Sequence, residues 1–184
     1  REGLETGYLG NEWMECIRRA VKTAKEEGIA AWLYDEDRWP SGAAGGLVPG
    51  RGDEFRAKVL TFETSSDLPE GEEILTIFRG RVQENQVLSF REGEGPLAEG
   101  EVYLIFRRKV ADATPWFNND SPADNLNPDA VKEFIRTTYE AYFSHVGEDF
   151  GKTIPGIFTD EPNIIQFVAE SDRRYLPWTE IEKC

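Results

Sequence analysis

Ile157-Phe158-Thr159-Asp160-Glu161-Pro162 is a short apolar run that ends in two adjacent carboxylates and a proline. A second apolar run, Ile29 to Tyr34, leads straight into Asp35-Glu36-Asp37. Clustered carboxylates repel one another, which raises the proton affinity of at least one member. A carboxyl that keeps its proton near neutral pH can serve as a general acid. Glycosidic bonds are cleaved by such pairs: one carboxyl protonates the leaving oxygen while another acts as nucleophile or base. Trp39 and Trp116 each adjoin a proline in a predicted loop and offer flat apolar faces to a sugar ring. In Trp116-Phe117-Asn118-Asn119-Asp120, the amides and the acid can bond sugar hydroxyls or form Asx turns. The acids also offer hard oxygen ligands to calcium, but no loop has the EF-hand spacing. For each acidic turn a merely solvated role stays open.

The elements that would carry these groups read as follows. Asn11 is placed to cap a helix from Glu12 to about Glu27, with Met14, Ile17, Val21 and Ala24 at helical spacing and Gly28 as the stop. Ile29 to Tyr34 and Ile154 to Thr159 read as strands buried on both faces, the parallel-sheet pattern. If they lie in one parallel sheet, Asp35, Glu36, Asp37, Asp160 and Glu161 share its carboxyl-terminal edge. Ala43 to Gly52 is a glycine-rich apolar loop without a phosphate-binding pattern. Ala57 to Glu63, Glu73 to Gln83, Gln86 to Arg91 and Glu101 to Val110 read as an antiparallel meander or small sandwich. Asn127-Pro128-Asp129 is a helix start, followed by a stripe of Val131, Phe134, Ile135, Thr138, Tyr142 and Phe143. The order predicts an α/β architecture with an antiparallel β insertion: 1–52, then 53–112, then 113–184.

Composition narrows the function. Thirty-nine per cent of the 184 residues are hydrophobic, enough for a packed core. The net charge of -14 excludes the basic footprint that nucleic-acid phosphates require, so no nucleic-acid partner is expected. Saccharides are neutral and the charge does not oppose them. No run of 18 apolar residues points to a membrane partner. Cys16 and Cys184 suggest neither a disulfide framework nor a metal site, and His145, the single histidine, sits at a predicted helix end. No cofactor is expected. No secretory leader is visible, but the sequence begins at Arg1 rather than Met, which leaves the compartment open.

Five stretches resemble the (β/α)8 glycoside hydrolases similar to family 106 α-L-rhamnosidases and their bacterial relatives. They are Arg1 to Thr6 with Tyr8-Leu9-Gly10; Trp32 to Gly42 with Gly45-Gly46; Leu126 to Val131; Phe158 to Pro162; and Leu176 to Thr179. The resemblance implies a partial TIM barrel of about strands 2 to 4, with strand 3 near Ala113 to Phe117. It implies that strand 1 and strands 5 to 8 lie outside Arg1–Cys184, which would leave the chain catalytically incomplete. It places Glu161 as proton donor near the end of strand 4, with the second catalytic carboxylate beyond Cys184. The expected substrate contacts are Asp35, Glu36, Arg38, Trp39, Trp116, Asn118 and Asp160. A second reading is a non-catalytic carbohydrate-binding protein; a third is an α/β domain whose acidic turns are only solvated.

Overall fold

A computed structural model of the chain describes residues 5–71, 73–164 and 175–180. In chain order the elements are α1 (Asn11–Glu27), β1 (Leu33–Tyr34), β2 (Lys58–Ser65), β3 (Ile74–Gln83), β4 (Gln86–Glu92), β5 (Val102–Val110), β6 (Thr114–Phe117), α2 (Pro128–Val146), β7 (Ile157–Phe158) and β8 (Tyr175–Trp178). Two compact units divide them. One comprises residues within Arg1–Ala57 and Asp112–Ile164, the other Lys58–Ala111 together with β8.

The second unit is one antiparallel sheet in the order β4-β3-β5-β2-β8. Its strands alternate, as period-two side chains must. Tyr103 and Ile105 pack with Ile77 and the partly buried Ile74 and Leu97, whereas Phe106 makes ring contacts with Phe62 and Phe78. β4 is exposed along its whole length, as an edge strand with no neighbour on its far side. The four strands expected from the sequence are present and antiparallel, with boundaries shifted by one or two residues, but they do not form a meander: β2 pairs with β5 and β8 rather than with β3.

The first unit holds both helices found among the described residues. α1 presents Met14, Val21 and Ala24 to the core, and Gly28 ends it in the left-handed conformation at φ 67. Its N-cap is Gly10 rather than Asn11, and no side chain caps it. α2 starts as the sequence predicts: Asn127 Oδ1 accepts from the Asp129 N–H at 2.9 Å, with Pro128 in the first turn. Met14, Val21, Leu33, Tyr142, Val146 and Ile154 form one cluster. Tyr8, Ala43, Ala44, Val48, Phe117, Ala123, Ala130 and Phe134 form another. The α2 stripe is rotated from expectation: Ala130, Phe134, Thr138, Tyr142 and Val146 are buried, while Val131, Ile135 and Phe143 are exposed.

The (β/α)8 expectation fails. Among the described residues the chain is β-rich, with two α-helices and a dominant antiparallel sheet. Its parallel strand pairing is β1 with β7, two residues each, beside an isolated parallel bridge between Phe150 and Ile154. Neither apolar run is a strand buried on both faces. Ile29 is 62 % exposed, Trp32 64 % and Phe158 54 %, because strands two residues long have no layer covering both sides. β6, the expected third barrel strand, pairs with no other strand among the described residues; Thr114 and Phe117 instead bridge antiparallel to Asp120 around a turn.

Burial sorts the isoleucines. Ile154→Ala should cost about 2–5 kcal/mol, because Ile154 is 1 % exposed within its cluster. Ile29→Ala should change stability by less than about 1 kcal/mol. Urea unfolding midpoints of the two variants test the contrast.

Candidate functional site

β1 and β7 pair in parallel, Leu33 opposite Ile157 and Tyr34 opposite Phe158, so the segments that follow them leave side by side. The Asp35 N–H donates to the Phe158 carbonyl at 3.3 Å. The Ser41 N–H donates to the Asp160 carbonyl, and the Asp160 N–H donates back to Ser41 Oγ, both at 2.9 Å. The acidic loops thus meet on one edge, as the sequence suggested, but their acids do different things.

Asp35 is fully buried. Ser41 Oγ donates to its Oδ1 at 2.6 Å, and the hydroxyls of Tyr139 and Thr159 both donate to its Oδ2 at 2.7 Å. Glu36, 1 % exposed, accepts the backbone N–H groups of Asp37 (2.8 Å), Gly42 (3.1 Å), Ala44 (2.7 Å) and Gly45 (2.5 Å). Burial pushes the Glu36 carboxyl up to about 7, against the pull of the four N–H donors. The loop turns through the left-handed region at several positions, Ala44 at φ 51 among them, and glycine occupies the tightest. Gly42 sits at φ 136, where an added Cβ would strike the Asn125 side chain, and Gly45 at φ 65.

Both residues were expected to contact substrate. Their carboxylates instead hold the loop, and neither has surface to offer. Asn118 is also a brace: its amide donates to Asp37 Oδ2 at 2.9 Å and to the Gly45 carbonyl at 2.7 Å, from a left-handed turn at φ 57. Asp160 is half-buried and accepts the Tyr34 hydroxyl at 3.0 Å. Burial, then that bond, raise the Tyr34 phenol, which keeps it a donor.

What faces outward is a group of side chains from three segments. Glu161 is exposed, at φ 42, and its Oε2 accepts from the Trp39 indole N–H at 3.1 Å. The Trp116 indole N–H donates to the Trp39 carbonyl at 2.6 Å, and Trp116 remains 42 % exposed. The Arg38 guanidinium lies 5.8 Å from the centre of the Trp116 ring. Two indoles, a guanidinium and a carboxylate therefore share one surface. The structure also brings in Ser41, Tyr139 and Thr159, to which the sequence reading gave no role. Tyr139 is 104 residues from Asp35 in the chain, and no local spacing signals such a pair.

Among the described residues no group of three or more His, Cys, Asp or Glu is arranged to hold a metal ion, and no helix is long and apolar enough to cross a membrane. Cys16 is exposed and unpaired by any disulfide; Cys184 and Arg1 to Leu4 of the first resemblance stretch lie outside the described residues. Compared with protein-family models, curated proteins and solved structures, the chain matches none. Together with the β-rich fold, that overturns the resemblance to family 106 α-L-rhamnosidases, and the barrel positions inferred from it no longer apply.

The Glu36 environment makes a signed prediction. In the unfolded chain its carboxyl titrates near the ordinary value of 4.5, and in the fold near 7. Between those pH values the folded form holds a proton that the unfolded form has lost, so the stabilisation from this group fades as pH rises. Glu36→Gln should unfold more easily by roughly 2 kcal/mol, because its amide turns N–H groups toward N–H donors. Denaturant titrations from pH 4.5 to 7.5 should show the gap to the parent chain narrowing as pH rises.

Proposed function

We propose that this chain binds a neutral saccharide at the surface formed by Arg38, Trp39, Trp116 and Glu161. One observation carries the reading: the partly exposed indole of Trp116 lies beside a guanidinium, and its N–H is bonded to the backbone of Trp39, whose own indole is bonded to an exposed carboxylate. Flat aromatic faces take up the apolar C–H face of a sugar ring, while a few placed polar groups fix its hydroxyls. Glu161 accepts hydrogen bonds and Arg38 donates them, so alternating hydroxyls find both kinds of partner. Asp35, Glu36 and Asn118 shape this surface from behind rather than touching the ligand.

A second reading, glycosidic cleavage with Glu161 as proton donor, draws support from the Glu161 backbone. A non-glycine residue at φ 42 is a strained conformation of the kind that clusters at working sites. Cleavage also needs a second carboxylate, and neither Asp35 nor Glu36 can serve while buried beneath the loop.

Calorimetric titration with neutral di- and oligosaccharides (gluco-, manno-, xylo- and N-acetylglucosamine series) separates the readings. Binding should be saturable, and Trp116→Ala should weaken it at least about tenfold. Unchanged affinity in that variant, with the fold intact by circular dichroism, sinks the surface proposed. If aryl glycosides of a bound sugar turn over, Glu161→Gln should slow poor leaving groups by about 10²-fold. Binding without turnover leaves the first reading alone standing.

A further inference from the structure

Ser41, Tyr139 and Thr159, the three hydroxyl partners of Asp35, help line a partly open cavity of about 370 Å³. Val131, Phe134, Ile135 and Tyr139 of α2 form one wall; Thr159 and Pro162 form another. Its size falls in the range of small-molecule sites. Val131 and Ile135 are 38 % and 45 % exposed, leaving apolar surface at the mouth. The polar side chains of its lining are Ser41, Asn125, Tyr139 and Thr159, and the hydroxyls of Tyr139 and Thr159 lie 2.8 Å apart.

Hydroxyl protons decide what this pair can bind. Tyr139 and Thr159 each stand 2.7 Å from Asp35 Oδ2 and 2.8 Å from each other. Three oxygens this close are held together only if both hydroxyl protons lie between them. Ser41 Oγ donates its proton to Asp35 Oδ1 and accepts from the Asp160 N–H. The Asn125 amide nitrogen donates to the Asn163 carbonyl at 2.9 Å. The hydroxyl cluster therefore turns lone pairs, and no protons, toward the cavity. Burial also raises the Tyr139 phenol, keeping its proton in place. A ligand must bring donors, and the Asp35 carboxylate one hydroxyl behind favours positive charge. Among the described residues no lysine or arginine lines the cavity, and the chain's net charge is -14.

We propose that this cavity binds a small apolar primary amine, its ammonium donating to the Tyr139 and Thr159 hydroxyl oxygens and its apolar body resting on Phe134, Ile135 and Pro162. This site is separate from the saccharide surface and does not depend on it.

Three probes of one shape but different heads test it: 2-phenylethylamine, 2-phenylethanol and 3-phenylpropanoate, titrated to about 10 mM with methyl NMR of Val131 and Ile135 as readout. The amine should bind at least roughly tenfold more tightly than the carboxylate, with the alcohol between. Thr159→Ser keeps the hydroxyl and should keep the amine preference. Thr159→Val should reduce it severalfold, provided circular dichroism shows a folded chain. Ile135→Trp fills the mouth and should weaken all three probes. The proposal is overturned if no probe binds saturably, or if the carboxylate binds as well as the amine. It is equally overturned if Ile135→Trp leaves binding unchanged, or if sedimentation shows a self-associated chain that Ile135→Lys makes monomeric, because the mouth is then an interface.

Discussion

Four backbone N–H groups converge on the side chain of Glu36, a carboxylate with 1 % of its surface exposed. Removing a carboxylate from water costs several kcal/mol unless hydrogen bonds replace those lost, and here the chain supplies them from its own loop. The donors come from residues 37, 42, 44 and 45, so the segment must curl around the acid. The curl requires glycine where φ is positive and a neighbouring side chain leaves no room, as at Gly42 beside Asn125. Trp39 and Ser41 are carried to their places by the same curl.

Asp35 does the complementary work between segments. Its oxygens gather Ser41 from the loop, Tyr139 from α2 and Thr159 from the exit of β7. Glu36 fixes the loop's shape, and Asp35 fixes where the loop sits on the first unit. Glu161, two residues beyond Thr159, meets the indole of Trp39 from the same loop. The buried acids thus organise a surface whose outward chemistry belongs to Arg38, Trp39, Trp116 and Glu161. The charge that suggested catalysis in the sequence is mostly structural, a common outcome for buried polar groups that find all their partners.

The local signals read correctly where local physics decides. The Asn127 cap, the Gly28 stop and the existence of the four strands β2 to β5 follow from capping and alternation, which neighbouring residues determine, whereas the order of those strands in the sheet does not. The meeting of the Asp35 and Asp160 segments was also legible, because parallel pairing of two apolar runs requires it. The failures share another cause. Ile29 and Trp32 look like core residues, yet burial depends on which layer lies over them, and an apolar run does not encode that. The α2 stripe misplaced Val131, Ile135 and Phe143 because an apolar arc wider than the buried face leaves the choice of face to tertiary contacts. For Asp35 and Glu36, nothing in an acidic tripeptide distinguishes an outward acid from one whose acceptors are filled by distant hydroxyls and backbone amides.

Amide hydrogen exchange at Gly42, Ala44 and Gly45 tests most directly whether Glu36 holds this loop. If it does, these three amides exchange as slowly as that of Ile154, whose N–H is bonded to the Asp149 carbonyl in the packed first unit. Exchange at the rate of an exposed glycine-rich loop would contradict the account. It would mean that the Glu36 carboxylate does not organise the surface bearing Trp39 and Glu161.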